Sequence, residues 1–213
     1  MGRSPTVIIR QDNVETRKLA AEIVTTGGLI AFRTDTFYGL GVDPFDRAAV
    51  SRITELKGRE EGKPILLLIA DFADVEKLFQ PRPLLFDAFV NRFWPGPLTI
   101  VAPAVRELPI EVTARTGTVG LRLPDDENVR ALVRACGGKL TATSANPSGQ
   151  EPARSASEVK AYFPKPIDLI VDGGEVRVTK PSTVIDIGQT PPRVIREGAI
   201  SRAELENLWR GML

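Results

Sequence analysis

The chain has no histidine. That absence excludes a Ser-His-Asp triad, a Cys-His dyad, a zinc site with imidazole ligands and any imidazole acid–base step. Its single cysteine, Cys136, excludes an intrachain disulfide and any Cys-x-x-Cys site, and reads as a small apolar residue at a helix end. Neither sign of charge dominates. The 28 Lys+Arg against 27 Asp+Glu leave a net charge of +1. This excludes a strongly basic nucleic-acid coat but not a local basic cleft. The longest apolar run, Ile65 to Ala70, is far too short to span a bilayer, and the N-terminal MGRSPTVIIRQDN lacks the apolar stretch of a signal peptide. A cytoplasmic protein with no membrane partner is therefore expected. G-x-S-x-G is absent, so there is no nucleophile elbow. The chemistry left to the chain belongs to Lys, Arg, Ser, Thr, Asn, carboxylates and backbone N–H groups, an inventory suited to phosphates and carboxylates.

At 213 residues the chain fits one domain, 1–213, better than two, since domains run to about 150 residues. A chain of this size buries roughly 70% of its unfolded surface and needs no disulfide or metal staple. With 42% hydrophobic and 26% charged residues it has the balance of an ordinary soluble globular protein. No repeat, low-complexity segment or long linker divides it.

Apolar runs and helical periods alternate along the chain. Val14, Leu19, Ala20, Ile23 and Val24 fall near a 3.6-residue period over 14–26, with Asn13 as cap and Gly27-Gly28 as stop. Leu29–Arg33 reads as a buried strand and TDTFYGLGVDP as a long loop after it. Asp46 caps a helix carrying Val50, Ile53 and Leu56, which KGREEGKP ends, and ILLLIA is the next strand. Short helices are expected near 73–79 and 83–93, a turn at WPGP, strands at Leu98–Ala102, Val119–Leu123 and Leu140–Thr143, and a helix over 126–135. Ser155 or Ser157 caps a helix ending near Tyr162. DLIVDGG, STVIDI and PRVIREG are three β-like runs, and Ser201 caps a closing helix over 201–211. This order predicts an α/β fold with a mixed sheet, parallel in part and antiparallel late in the chain.

Two nucleotide motifs nearly match and fail. GREEGKP has three residues between its glycines where a P-loop has four, and Pro64 stands where the magnesium-binding hydroxyl should be. GLGVDP offers G-x-G but has Pro44 at the third glycine position. Five polar clusters remain, each at the end of an apolar run: Arg33 to Gly41; Lys57-Gly58-Arg59 with Lys63-Pro64; Thr118 and Arg122 on TVGLRLP; Thr143 to Asn146 with Ser148-Gly149; and Pro181-Ser182-Thr183 with Arg196. Ligands collect at strand ends of open α/β sheets. Taken singly, each cluster also has a plain reading. Thr34 to Thr36 can be turn formers. Lys57, Arg59 and Lys63 can be a solvated helix end, since cations favour a helix C-terminus, and Glu55, Glu60 and Glu61 dilute the basic charge there. Arg122 inside an apolar strand needs an anion, either an Asp or Glu partner or a ligand.

Together, in order, the clusters resemble the YrdC-like threonylcarbamoyl-AMP synthases, with the similarity strongest over 28–198. TDTFYGL matches the family's Thr-acidic-Thr-x-Tyr-Gly-Leu, Lys57-Gly58-Arg59 its Lys-x-Arg, and Ser144-Ala145-Asn146 its Ser-x-Asn; PGPLT, GLRLP, TSANPSG and PSTVID are further signatures. The resemblance implies a twisted mixed sheet flanked by helices around a positive concave cleft, in the single-domain form without an additional C-terminal domain. It implies a nucleotidyltransferase that makes threonylcarbamoyl-AMP and pyrophosphate from L-threonine, bicarbonate or CO2, and ATP. The product would feed N6-threonylcarbamoyladenosine formation at position 37 of tRNAs reading ANN codons, through downstream threonylcarbamoyl-transfer proteins.

The site residues that resemblance and chemistry imply are as follows. Lys57, Arg59, Ser144 and Asn146 form the catalytic set. Lys57, Arg59 and Lys63 hold the ATP phosphates, which suit Arg forks and Lys point charges, and Thr118, Ser144 and Arg196 complete the ATP site. Thr36, Arg122 and Ser182 hold threonine, with Arg122 on its carboxylate. Magnesium is expected to arrive with ATP, because no carboxylate cage is visible. Two departures stand out: Arg33 replaces the usual Pro before the first Thr, and Leu68 stands where some relatives have His near the threonine, so contact there must be apolar or through backbone. Two other readings stay open: a paralogue of the same fold with another substrate, and a double-stranded RNA or tRNA binding module using the same cleft.

Overall fold

Five of the helices begin where a short polar side chain takes up an orphan backbone N–H. The computed structural model describes residues 7–58, 64–164, 167–177 and 180–212. Its elements run β1 (Ile8–Gln11), α1 (Val14–Thr25), β2 (Ile30–Arg33), β3 (Tyr38–Gly41), α2 (Arg47–Lys57), β4 (Leu66–Ile69), a 3-10 turn (Phe72–Lys77), α3 (Phe86–Phe93) and β5 (Leu98–Pro103). Then come α4 (Ile110–Thr113), β6 (Thr118–Arg122), α5 (Glu127–Ala135), β7 (Lys139–Thr141), β8 (Thr143–Ser144), α6 (Ala156–Tyr162), β9 (Leu169–Asp172), β10 (Thr183–Asp186), β11 (Arg193–Arg196) and α7 (Arg202–Arg210). Asn13 accepts from Thr16 N at 2.9 Å to open α1, and Asp46 from Ala49 N at 3.0 Å to open α2. Asp126, Ser155 and Ser201 do the same for α5, α6 and α7. Helix α2 stops at Gly58, whose φ of 57° is the left-handed conformation that glycine adopts without strain.

The strands form two mixed sheets where the sequence pointed to one. The five-stranded sheet runs β1-β9-β2-β3-β8 and the six-stranded sheet β11-β10-β5-β6-β4-β7. In the five-stranded sheet β1·β9 and β2·β9 are parallel and β2·β3 and β3·β8 antiparallel; in the six-stranded sheet the parallel pairs β5·β10 and β4·β6 alternate with the antiparallel pairs β10·β11, β5·β6 and β4·β7. One core cluster takes Leu40 and Ile170 from the first sheet and Leu67, Ile100 and Leu121 from the second. A second packs Ala20 and Val24 of α1 and Val129, Leu132 and Val133 of α5 against Ile30, Phe32, Leu68 and Leu140. Cys136 caps the C-terminus of α5 beside this cluster, where burial pushes its thiol up to about 12.

Two local readings change, one is refined, and two short elements went unread. TDTFYGLGVDP is not one loop. Thr34 N donates to Phe37 O at 3.1 Å, closing a short turn, and Tyr38–Gly41 returns as β3, buried and antiparallel to β2. Gly41 is there for closeness: a Cβ on it would stand 2.7 Å from Phe32 Cε1. The expected strand Leu140–Thr143 splits at Ala142 into β7 and β8, and the chain crosses from one sheet to the other there. Strand β1, exposed along its length at a sheet edge, carried no alternating pattern to reveal it. The segment near 73–79 is a 3-10 turn, and the four-residue α4 was too short to read.

Candidate active site

Between the two sheets lies a cavity of about 740 Å³. The hairpin turn of β2–β3 brings Thr34, Thr36 and Phe37 to it; α2 brings Lys57; β6 brings Thr118, Gly120 and Arg122. Strand β8 and the loop after it supply Ser144, Asn146 and Ser148, and the β10–β11 side supplies Ser182, Asp186, Arg193, Ile195 and Arg196. Thus Thr36, Lys57, Thr118, Arg122, Ser144, Asn146, Ser182 and Arg196, chosen from sequence, all line one space. Arg59 and Lys63 lie outside the described residues. Leu68 does not line the cavity; it packs in the second core cluster, and Leu66 is the strand residue that faces the site.

Several of the polar side chains are held by their neighbours. Thr34 Oγ1 donates to Phe37 O at 2.6 Å and accepts from Thr36 N at 3.1 Å and Phe37 N at 3.2 Å, which fixes the tip of the turn. Lys57 is 6% exposed. Its ammonium donates to the carbonyls of Ser144 and of Asn146, the latter at 2.9 Å, with Asn146 Oδ1 at 3.4 Å and Ser144 Oγ at 3.5 Å. Asn146 Nδ2 closes its own loop on Gln150 O at 2.6 Å and Pro147 O at 2.9 Å. Ser182 Oγ meets Thr99 Oγ1 at 2.9 Å and accepts from Arg196 Nη2 at 3.2 Å, while Ser182 O accepts from the same nitrogen at 2.9 Å. Thr118 Oγ1 pairs with Thr116 Oγ1 at 2.9 Å.

Arg122 is the largest fully buried side chain. It found the anion that a buried guanidinium requires in Asp35, with Nη1–Oδ1 at 3.0 Å, and its Nη2 donates to Thr36 Oγ1 at 3.4 Å. Burial lowers the Arg122 pKa and Asp35 opposes the shift. Arg196 is lowered by burial and then by the charge of Arg122. Among the described residues the cavity lining brings together Arg122, Arg193, Arg196 and Lys57 with one carboxylate, Asp186, and hydroxyls between them. The sequence reading passed over Asp35, Thr99 and Asp186, although each stands inside a quoted motif: TDTFYGL, PGPLT and PSTVID. Arg193 and Ile195, on an edge strand, carried no signal beyond a β-like run. No helix among the described residues is long and apolar enough to cross a membrane.

The family model Sua5/YciO/YrdC, described as telomere recombination, matches residues 22–198. The threonylcarbamoyl-AMP synthase of Pyrococcus abyssi is 39% identical over 191 residues, covering 90% of this chain and 56% of that protein. The synthase of Marinobacter nauticus is 41% identical over 170 residues, covering 79% of this chain and 90% of its own length. Among solved structures, P. abyssi Sua5 complexed with L-threonine superposes with a TM-score of 0.88 at 36% identity, covering 95% of this chain and 60% of that one. E. coli YciO gives 0.79 at 30% identity, covering 93% and 97%. The chain therefore spans little more than half the length of the Pyrococcus proteins.

Proposed function

Because the chain belongs to the Sua5/YciO/YrdC family, we propose that it condenses L-threonine, bicarbonate or CO2, and ATP into threonylcarbamoyl-AMP and pyrophosphate. The observation that carries this reading is the meeting of Thr36, Arg122 and Ser182 with Lys57, Ser144, Asn146, Thr118 and Arg196 around one cavity. The relatives named threonylcarbamoyl-AMP synthase, and the Sua5 structure holding L-threonine, support it.

The amine nitrogen adds to the carbon of CO2 and loses a proton to solvent, which leaves a carbamate. A carbamate oxygen then attacks the α-phosphorus of ATP, and the bond from that phosphorus to the bridging oxygen breaks to release pyrophosphate. Such a transfer asks for positioning and charge neutralisation more than for a covalent nucleophile, so a chain without histidine can perform it. Arg122 takes the threonine carboxylate, with Thr36 and Ser182 on its polar groups. Arg59, Lys63, Thr118, Ser144 and Arg196 take ATP. Lys57 holds Ser144 and Asn146 in place through the carbonyls it already binds. The carboxylate of Asp186 suits a magnesium ion that keeps waters and phosphates as its main ligands, and bound there it would neutralise phosphate charge. The adenylate would pass to tRNA threonylcarbamoyl-transfer proteins, for position 37 of tRNAs reading ANN codons.

The test is pyrophosphate release from ATP and bicarbonate with each amino acid in turn. A pocket that pairs the threonine hydroxyl rejects valine, which leaves a buried polar group unpaired, while serine loses only a methyl contact worth about 1–3 kcal/mol. Threonine should turn over first, serine weakly and valine almost not at all. Equal turnover of valine removes the hydroxyl-reading pocket. Activity with an unrelated amino acid alone favours a paralogue, which the likeness to YciO keeps in view. Nucleic-acid binding that is steeply salt-dependent, with no pyrophosphate release, favours the RNA-binding module.

A further inference from the structure

Asp35 reaches Arg122 from the opposite sheet. It lies in the turn between β2 and β3 of the five-stranded sheet, whereas Arg122 ends β6 in the six-stranded one. Their side chains are 13% and 2% exposed. The charges are close, but the hydrogen bonds are unfinished: Arg122 Nε and Nη1 and Asp35 Oδ1 are buried with no hydrogen-bond partner. Arg122 lines the cavity and Asp35 does not. A buried donor left without an acceptor is costly, so these nitrogens are poised for an incoming acceptor. Arg196 stands on the other side, and its lowered pKa already registers the charge of Arg122. Without Asp35 the Arg122 guanidinium would lose the carboxylate paired with it, and its repulsion with Arg196 would grow.

We propose that Asp35 is a positioning residue, whose carboxylate fixes the Arg122 guanidinium across the two sheets so that its open donors meet the amino-acid carboxylate. The inference rests on the synthase reading above. It carries a pH dependence. Burial raises the Asp35 carboxyl above the usual carboxylate range; Arg122 opposes this, and Asp126 and Asp125, just ahead of α5, add to the rise. Arg33 of β2 pairs with Asp126 at 2.8 Å and offsets part of that charge. A raised pKa means that acidification neutralises Asp35 before ordinary carboxylates titrate. The grip on Arg122 then loosens, and threonine affinity falls as the pH falls.

The experiment compares wild type, Asp35→Asn and Asp35→Glu. Michaelis constants for threonine and for ATP come from pyrophosphate release, threonine affinity from calorimetry from neutral pH downwards, and the hold on Arg122 from its Nε–Hε NMR signal. Asp35→Asn should raise the threonine constant by about tenfold or more with that for ATP little changed, since it leaves a buried charge unpaired. Asp35→Glu should restore most of the loss. Wild-type threonine affinity should fall on acidification and that of Asp35→Asn should stay flat. The Arg122 signal should be sharp in wild type and exchange-broadened in Asp35→Asn. A folded Asp35→Asn with the wild-type threonine constant, or with an unchanged Arg122 signal, overturns the inference. If Asp35→Asn does not fold, a wild-type affinity that stays flat on acidification overturns it. If wild type releases no pyrophosphate with threonine, the functional reading falls, and the Arg122 signal in wild type against Asp35→Glu still decides whether Asp35 holds that group.

Discussion

Lys57 shows how far a residue's surroundings can depart from what its place in the chain suggests. A lysine in the last turn of a helix usually faces water, and an exposed charge of that kind contributes about 0–1 kcal/mol. Here the stem is buried and the ammonium is spent on the Ser144 and Asn146 carbonyls. Lys57→Ala strands those carbonyls. It should cost about 2–3 kcal/mol, which lowers the melting temperature by roughly 5–10 °C in a chain of this size. Pyrophosphate release should fall with it, because Ser144 and Asn146 lose the ammonium that holds their carbonyls beside the cavity. Calorimetry beside an activity assay reads both. A variant that melts like wild type but is inactive returns Lys57 to direct contact with phosphate. The sequence marked Lys57, Ser144 and Asn146 as members of one site. It could not show that they bind one another, because the Lys57–Asn146 contact joins residues 89 apart.

Among the elements, the β10–β11 hairpin carries the tightest backbone approach. A Cβ on Gly198 would lie 2.2 Å from Pro181 O and 2.7 Å from Ser182 C, and Gly198 N donates to Thr183 Oγ1 at 2.9 Å. No side-chain rotation relieves a clash with main chain. Gly198→Ala should therefore push the end of β11 away from Ser182, at a cost of about 1–3 kcal/mol or more, and displace Arg196 from Ser182. The threonine requirement should rise, and a wild-type melting temperature with wild-type kinetics would show that the approach is slack. Helices were the legible elements: Asn13, Asp46 and Ser201 stood where capping demands them, and buried positions such as Ala20 and Val24 kept a helical period. Strand β3 was hidden because its two glycines mimic loop composition, while burial and pairing with β2 decide its conformation. The division into two sheets was illegible for another reason. It turns on Ala142, a single residue between β7 and β8 with nothing in its chemistry to mark a crossing.

At the scale of the whole molecule, each sheet owns part of the cavity. Thr36 and Ser144 come with one; Thr118, Arg122 and Arg196 come with the other. A ligand that touches both should hold them together. ATP and threonine at a hundredfold excess over their dissociation constants should each add about 2.7 kcal/mol, or roughly 5–10 °C in melting temperature. Hydrogen exchange should slow on both sides of the cavity. Protection confined to one sheet would show that the ligand does not bridge them.

The strand order of the five-stranded sheet has a consequence in time. Strand β1 pairs with β9 alone, and β2 has β9 on one side, with Ile8 and Ile30 both in register with Leu169. Translation proceeds at about 5–20 residues per second, so the first strands emerge on the order of ten seconds or more before the one that lies between them. Until β8 follows, the hairpin β2–β3 shows two open edges, then one until β9 arrives, and β1 has no neighbour throughout. Part of the cavity can be assembled early, but the five-stranded sheet waits for nearly the last quarter of the chain. A nascent chain stalled short of Leu169 would present those edges to chaperones or to other copies of itself.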